Sequence, residues 1–191
     1  MNTIKLNNKS IELIEGWHEI TLGKYIDIIK LHNIKDTLIE EEFLLKLLSI
    51  ISSLTEEEAN NLYPEDMKIF EKYIVKNKFS LANFEKQKCL DFNFNSTPYT
   101  TVLPKKLTMG ELISIKLLEK NSVDLLDSWL NLISILVRPA TVSTDEFGEE
   151  IRTPNKFEGN EDLLIKRKEM FKNIPAVNAL WIIEAFQSGK E

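Results

Sequence analysis

A single cysteine, Cys89, excludes any disulfide within the chain and fits a reducing compartment. Set in an apolar stretch, it reads as a small core residue and not as a nucleophile. Histidine is nearly as scarce: His18 and His32 are the only two. Their spacing is not that of a zinc site and no cysteine pair accompanies them, so they read as structural or surface residues. There are six glycines, and none belongs to a phosphate loop or a dinucleotide fingerprint. Serines are plentiful, but none sits in a nucleophile elbow. Long hydrophobic runs are missing too. The most apolar stretch, Leu125 to Val137, is too short to span a bilayer and is broken by Asp127 and Asn131. Met1 to Lys5 holds no apolar signal core. Positive charge is in the minority, with a net charge of -6 and a pI of about 5.2. Such a chain repels a phosphate backbone, which disfavours nucleic acid as its partner. The basic runs Lys76, Lys78, Lys86, Lys88 and Lys166, Arg167, Lys168 carry no binding motif and read as solvated faces. The expectation is a protein with no catalytic residues, no cofactor and no metal, without nucleic-acid or membrane partners, that stays in the cytoplasm of the cell that makes it.

What is present is an internal repeat. Ile20-Thr21-Leu22-Gly23-Lys24-Tyr25-Ile26-Asp27-Ile28 parallels Leu107-Thr108-Met109-Gly110-Glu111-Leu112-Ile113-Ser114-Ile115. Ahead of each copy, alternating apolar residues flank a short polar turn, which is a hairpin signature. The first hairpin turns at Asn7-Asn8 and ends on Ile11 to Ile14; the second turns at Asn95-Ser96 and ends on Tyr99 to Val102. A slip of one residue separates the hairpin alignment from the helix alignment, and a loop can absorb it. Further on, Leu47-Leu48-Ser49-Ile50-Ile51 parallels Leu132-Ile133-Ser134-Ile135-Leu136, and Tyr63-Pro64 parallels Ile174-Pro175. Each proline suits a first helical position. Four matches in one order predict a mainly helical α+β chain made of two divergent hairpin-plus-helices modules, residues 1–86 and 87–191.

Local signals place the elements. Thr21 and Thr108 are predicted N-caps; Thr108 with Glu111, and Thr55 with Glu58, make capping boxes, whereas Thr21 faces Lys24 and lacks the reciprocal half. Gly23 and Gly110 are expected to let the hairpin pack closely on the helix start. Leu22, Tyr25, Ile26 and Ile29 form one apolar face at helical spacing. Helices are expected over about Leu38 to Ser52, over Glu56 to Glu58, and from Pro64 with Met67, Ile69, Phe70, Tyr73 and Ile74. Ser122 is the expected cap of a helix from Val123 to about Val137, apolar nearly all round and therefore central. Pro139 ends it, and Arg138 complements its C-terminal dipole. Trp129 is expected at the middle of this core, with Trp17 and Trp181 as further anchors.

The two copies differ most over about residues 139–162, an acidic segment rich in turn formers with a hairpin centred on Phe147-Gly148. An excursion of this kind is the place to look for function. Thr141, Val142 and Ile151 suit strands, and Phe147 offers an apolar anchor at the tip. With Phe157 these are the expected partner-binding residues. Asp145, Glu146, Glu149 and Glu150 lack the alternating ligands of a calcium loop and read as a solvated hairpin.

The repeat residues also carry a resemblance. Trp17 to Ile26, Leu107 to Ile113, Ile135-Leu136-Val137-Arg138-Pro139 and Phe171 to Leu180 together resemble small proteins from the structural-gene modules of tailed bacteriophages of gut bacteria, including crAss-like phages. Some of that group resemble tail assembly chaperones, others virion components near the portal and tail. The resemblance implies a non-enzymatic protein that binds other phage structural proteins (tail, portal or ring components), in symmetric copies in the ring version. It implies a place in the host cytoplasm during assembly and, for a virion component, in the tail or neck. Lys24 in place of a second Glu111, and the long segment after Pro139, depart from the pattern and leave the partner open. A tail assembly chaperone absent from the mature particle, or a cellular adaptor unrelated to phage, are the competing readings.

Overall fold

In a computed structural model the described residues are 2–6, 9–76, 88, 90–122 and 124–189. The Asn7-Asn8 turn, Cys89, Lys78 and Lys86 lie outside them. The chain is α+β and mainly helical, and it divides into two compact units, Met1–Glu85 with Pro175–Val177 and Lys86–Ile174 with Asn178–Glu191.

The first unit opens with the antiparallel hairpin β1 (Asn2–Leu6) and β2 (Lys9–Leu13), followed by α1 (Leu22–Asn33), α2 (Glu40–Ile51), α3 (Glu56–Asn60) and α4 (Pro64–Lys76). Thr21 caps α1 by accepting from the Lys24 amide, and the Thr55–Glu58 capping box opens α3 with both halves made. One apolar core joins Ile11 and Leu13 of β2, Ile28 and Leu31 of α1, Phe43, Leu47, Leu48 and Ile51 of α2, and Phe70 and Tyr73 of α4. Burying a tyrosine requires a partner for its hydroxyl, and Tyr73 donates to the Ile14 carbonyl at 2.7 Å. The expected α1 stripe is broader in fact: Ile28 and Leu31 are buried with Leu22 and Ile26, while Tyr25 and Ile29 are half-buried. Ile69 of α4 faces outward. The residues Pro175–Val177 belong here because Thr21 bridges Pro175 and the Ala176 amide donates to the Ile20 carbonyl at 2.8 Å.

His32 sits edge-on to Phe43, 5.2 Å between ring centroids. Burial, and then the charge of Lys35, hold its pKa below the ordinary 6.5. The unfolded chain therefore takes up the proton first. The contribution of neutral His32 is complete above the ordinary value and is lost as pH falls through it towards the lowered folded value. His32→Gln should flatten the fall in urea midpoint between about pH 8 and pH 5. An unchanged slope would put the acid sensitivity elsewhere.

The second unit repeats the order: β3 (Asp91–Phe94), β4 (Thr97–Thr101), α5 (Met109–Asn121) and α6 (Leu125–Leu136), then β5 (Val137–Thr144) and β6 (Glu150–Pro154), then α7 (Glu161–Phe171) and, from Asn178 on, α8 (Ala176–Ser188). Asn95 and Ser96 both take positive φ, 49° and 61°, which suits a two-residue hairpin turn. The Thr108–Glu111 capping box is complete. The modules also close in the same way. The Ile14 amide donates to the Ile51 carbonyl in the first, and the Val102 amide to the Leu136 carbonyl in the second. Leu13 bridges Ser52 as Thr101 pairs with Val137. Ser49 and Ser134 each turn their hydroxyls back to the carbonyl three residues earlier, Lys46 and Asn131. From Ile14 to the Thr21 cap is seven steps, and from Val102 to Thr108 six, so the one-residue slip falls in the loop. Among the described helices and strands, the β5–β6 hairpin is the addition without a counterpart in the first unit.

Several expectations need correction. Asp124, not Ser122, caps α6, by accepting from the Asp127 amide; Ser122 instead donates to the Leu118 carbonyl and accepts from Asn131. The α6 helix is buried around most of its circumference (Leu126, Leu130, Leu132, Ile133, Ile135, Leu136) and packs on α5 and α7. Trp129 itself is only half-buried, as are Trp17 and Trp181. The helix ends at Leu136, before the proline, because Val137 turns directly into β5. Pro139 lies inside that strand, opposite Tyr99. Pro175 sits one residue before α8 and not in its first turn. A Cβ on Gly110 would meet nothing within 4 Å, so close packing does not explain that glycine.

Candidate functional site

The four strands of the second unit lie in the order β3-β4-β5-β6, all antiparallel. Along β5 burial changes abruptly. Val137, Arg138 and Ala140 are buried, whereas every residue from Thr141 to Thr144 is exposed on both faces of the strand. From Thr141 on, β5 and β6 leave the core as an arm. Register pairs Val142 with Arg152 and Thr144 with Glu150 on one face, and Thr141 with Thr153 and Ser143 with Ile151 on the other.

The expected site residues fall into two groups. Val142, Ile151 and Phe147 are 44%, 46% and 82% exposed. Val142 and Ile151 point to opposite faces of the arm, and Phe147 stands at its tip. Thr141 is exposed and donates to the Asn155 side chain at 3.1 Å. Phe157 is not on the arm. It is half-buried, with the Arg138 guanidinium 5.6 Å from its ring centre. At the tip, the Asp145 carboxylate accepts from the amides of Phe147 and Glu149, both at 2.8 Å, and Gly148 takes a φ of 83° that an L side chain rarely adopts. These bonds fix the direction in which Phe147 is presented. Among the described residues, no group of three or more acidic, histidine or cysteine side chains is placed to hold a metal, and no helix is long and apolar enough to cross a membrane.

The base of the arm is where the sequence reading missed the chemistry. The chain has three arginines, Arg138, Arg152 and Arg167, and all three lie in this unit with little exposure. Arg138 is buried in β5, and its Nη2 forms an ion pair with Oε1 of Glu111, which has no exposed surface at all. Its Nη1 donates to the Asn155 carbonyl at 3.1 Å, just after β6. Arg138 thus ties the α5 N-terminus to both strands of the arm. Glu111 serves two partners, since its other oxygen accepts from the Thr108 amide and hydroxyl at 2.6 and 2.5 Å. Arg152 reaches back from β6 and donates to the carbonyls of Phe92 and Tyr99 at 2.8 and 3.3 Å. Guanidinium suits such enclosed positions better than ammonium, because it is less strongly hydrated and its donors are fixed in a plane. Burial, and then the nearby charge of Arg167, lower the pKa of Arg138 from its usual value. Burial raises that of Tyr99, partly offset by Arg167.

This brace has no counterpart in the first module. By the matched caps and bridges, Lys24 stands where Glu111 stands, and Ser53 stands where Arg138 stands. A carboxylate at a cap followed by an Arg-Pro at the end of a buried helix was legible in the sequence. That the two meet was not. No family model matches the chain, and neither a curated protein nor a solved structure gives a match.

Proposed function

We propose that the chain is a non-enzymatic structural or assembly protein of a tailed bacteriophage, working in the tail or head–tail region by binding other proteins. The observation that carries the interaction part of this reading is the braced arm. Two modules share one plan, and the single element added to the second leaves the core with both faces exposed, an aromatic at its tip, and a base fixed by Arg138 and Arg152. A firmly based hairpin whose outer strand is the sheet edge among the described residues can add to the sheet of a neighbour or insert its tip. The phage assignment rests on the resemblance of the repeat residues to phage structural-module proteins.

Replacing residues 141–152 with a short Gly-Ser linker leaves Arg138 and Glu111 in place and takes Arg152 away with the arm. The protein should still fold, by circular dichroism, while its incorporation into particles or capture of tail and portal proteins falls at least about tenfold. Normal incorporation by the armless chain would sink the reading. Mass spectrometry of purified particles separates its two versions: a ring or neck component stays in the virion, whereas a tail assembly chaperone is found only with nascent tail protein in the host cytoplasm.

A further inference from the structure

Two exposed apolar features of the second unit are opposites in shape and charge. One is the arm tip, where Phe147 is 82% exposed and stands among Asp145, Glu146, Glu149 and Glu150. The other is the outward face of α5. Met109, Ile113 and Leu117 are 72%, 52% and 55% exposed. At four-residue spacing they share a sector roughly 80° wide, and Lys116 and Lys120 fall in or beside the same sector. Lys105 and Lys106 stand exposed just before the helix. Of the two carboxylates on α5, Glu111 is buried and paired with Arg138, so Glu119 is the one that faces solvent. The stripe runs into a cleft of about 350 Å³ between α5 and α7, walled by Leu117, Leu118, Leu164 and Ile165, with Asn131, Glu161 and Lys168 at its polar side, Lys168 being paired with Asp127. An apolar stripe that opens into a cleft is a candidate interaction surface.

We propose that the occupant of this cleft is the arm of a second copy of the same chain. Phe147 of one copy enters between α5 and α7 of the next, and Glu146 and Glu149 beside it face Lys116 and Lys120. The match is of a convex aromatic flanked by carboxylates to a concave apolar wall, with the exposed Lys116 and Lys120 beside the stripe that leads into it. The inference rests on the reading of the arm as an interaction element and names its partner. Arm and cleft are different surfaces, and we take the contact to run head to tail, which makes it heterologous. Each bound copy keeps one free arm or one free cleft, and assembly proceeds to a ring if the rotation closes and to a filament if it does not.

The test is sedimentation of the full chain over a concentration series to roughly 100 µM. Wild type should pass beyond dimer as concentration rises. Phe147→Asp removes the arm's anchor, and Leu117→Asp with Ile165→Asp spoils the cleft. Each should weaken self-association at least about 30-fold, with unchanged circular dichroism. Mixed together, these two variants should form a one-to-one dimer and stop, because the arm of one fits the cleft of the other and the remaining ends are both dead. Glu146→Lys with Glu149→Lys should block assembly, and mixing that chain with Lys116→Glu, Lys120→Glu should restore pairing. A wild type that stays monomeric, an oligomer indifferent to both variants, or a mixture that fails to dimerise overturns the proposal. If wild type is monomeric while the armless chain fails to enter particles, the occupant is wrong and the proposed function stands. If wild type assembles through its arm while the armless chain enters particles normally, the reverse holds.

Discussion

Arg138→Met is expected to lower the stability of the second unit by about 3–5 kcal/mol, the usual cost of removing one member of a buried ion pair. The loss comes chiefly from what remains. Glu111 has no exposed surface, and without Arg138 its Oε1 loses its ion pair while staying shielded from water. The contacts of Arg138 to the Asn155 carbonyl and the Phe157 ring go as well. Adding Glu111→Gln in the same chain should recover much of the loss, because a neutral amide in that place avoids the stranded charge. Ser53→Ala, at the matching position of the first module, should stay within about 0.5 kcal/mol. Urea titration of the four proteins measures all of this. A loss below about 1 kcal/mol for Arg138→Met would mean that Glu111 reaches water, and the brace would lose its meaning. Hydrogen exchange adds a readout specific to the arm: amides from Ala140 to Thr144 should lose protection in Arg138→Met more than those of α6.

How much of this was legible in the sequence depends on the range over which each signal acts. Capping is local, and Thr21, Thr55 and Thr108 all cap where their spacing predicts, with the reciprocal carboxylate present at Glu58 and Glu111 and missing at Lys24. Hairpin alternation is local too, and the shared plan of the modules followed from it, down to the one-residue slip between Ile14 and Thr21. The failures lie where distant parts of the chain decide. Pro139 was expected to end α6. The helix had already stopped because Val137 pairs with Thr101, thirty-six positions back in sequence, and a residue preceding proline favours extended backbone in any case. Arg138 beside a helix end looks like a dipole partner until the fold brings Glu111 to it. Asp124 displaced Ser122 as cap because both residues suit the role, and the Asn131 side chain claims the Ser122 hydroxyl. Within the arm, exposure of Phe147 follows from its acidic neighbours and the Gly148 turn. The place of Phe157, against Arg138, does not.

Phe171→Ala is the second large effect expected, at about 3–5 kcal/mol, and it separates true burial from aromatic content. Phe171 ends α7 with no exposed surface. It stands edge-on to Tyr99, 5.6 Å between centroids at 80°, and Tyr99 stacks on Phe92 at 5.7 Å. The three rings fasten α7 to β3 and β4, the strands on which β5 is built. Truncation removes the ring's transfer energy and leaves a cavity that α7, tied at its other face to α6, cannot collapse to fill. The lost ring pair adds about 0.5–1.5 kcal/mol. Trp129→Ala, by contrast, should cost distinctly less, although tryptophan is the larger side chain. Trp129 is half-buried, and its indole Nε1–H is enclosed with no acceptor among the described residues, so its removal also relieves a desolvated donor. The comparison is made by urea titration followed by circular dichroism, which does not depend on the deleted fluorophore. If Trp129→Ala proves the more damaging of the two, the centre of the second unit lies at the middle of α6 and not where α7 meets the sheet.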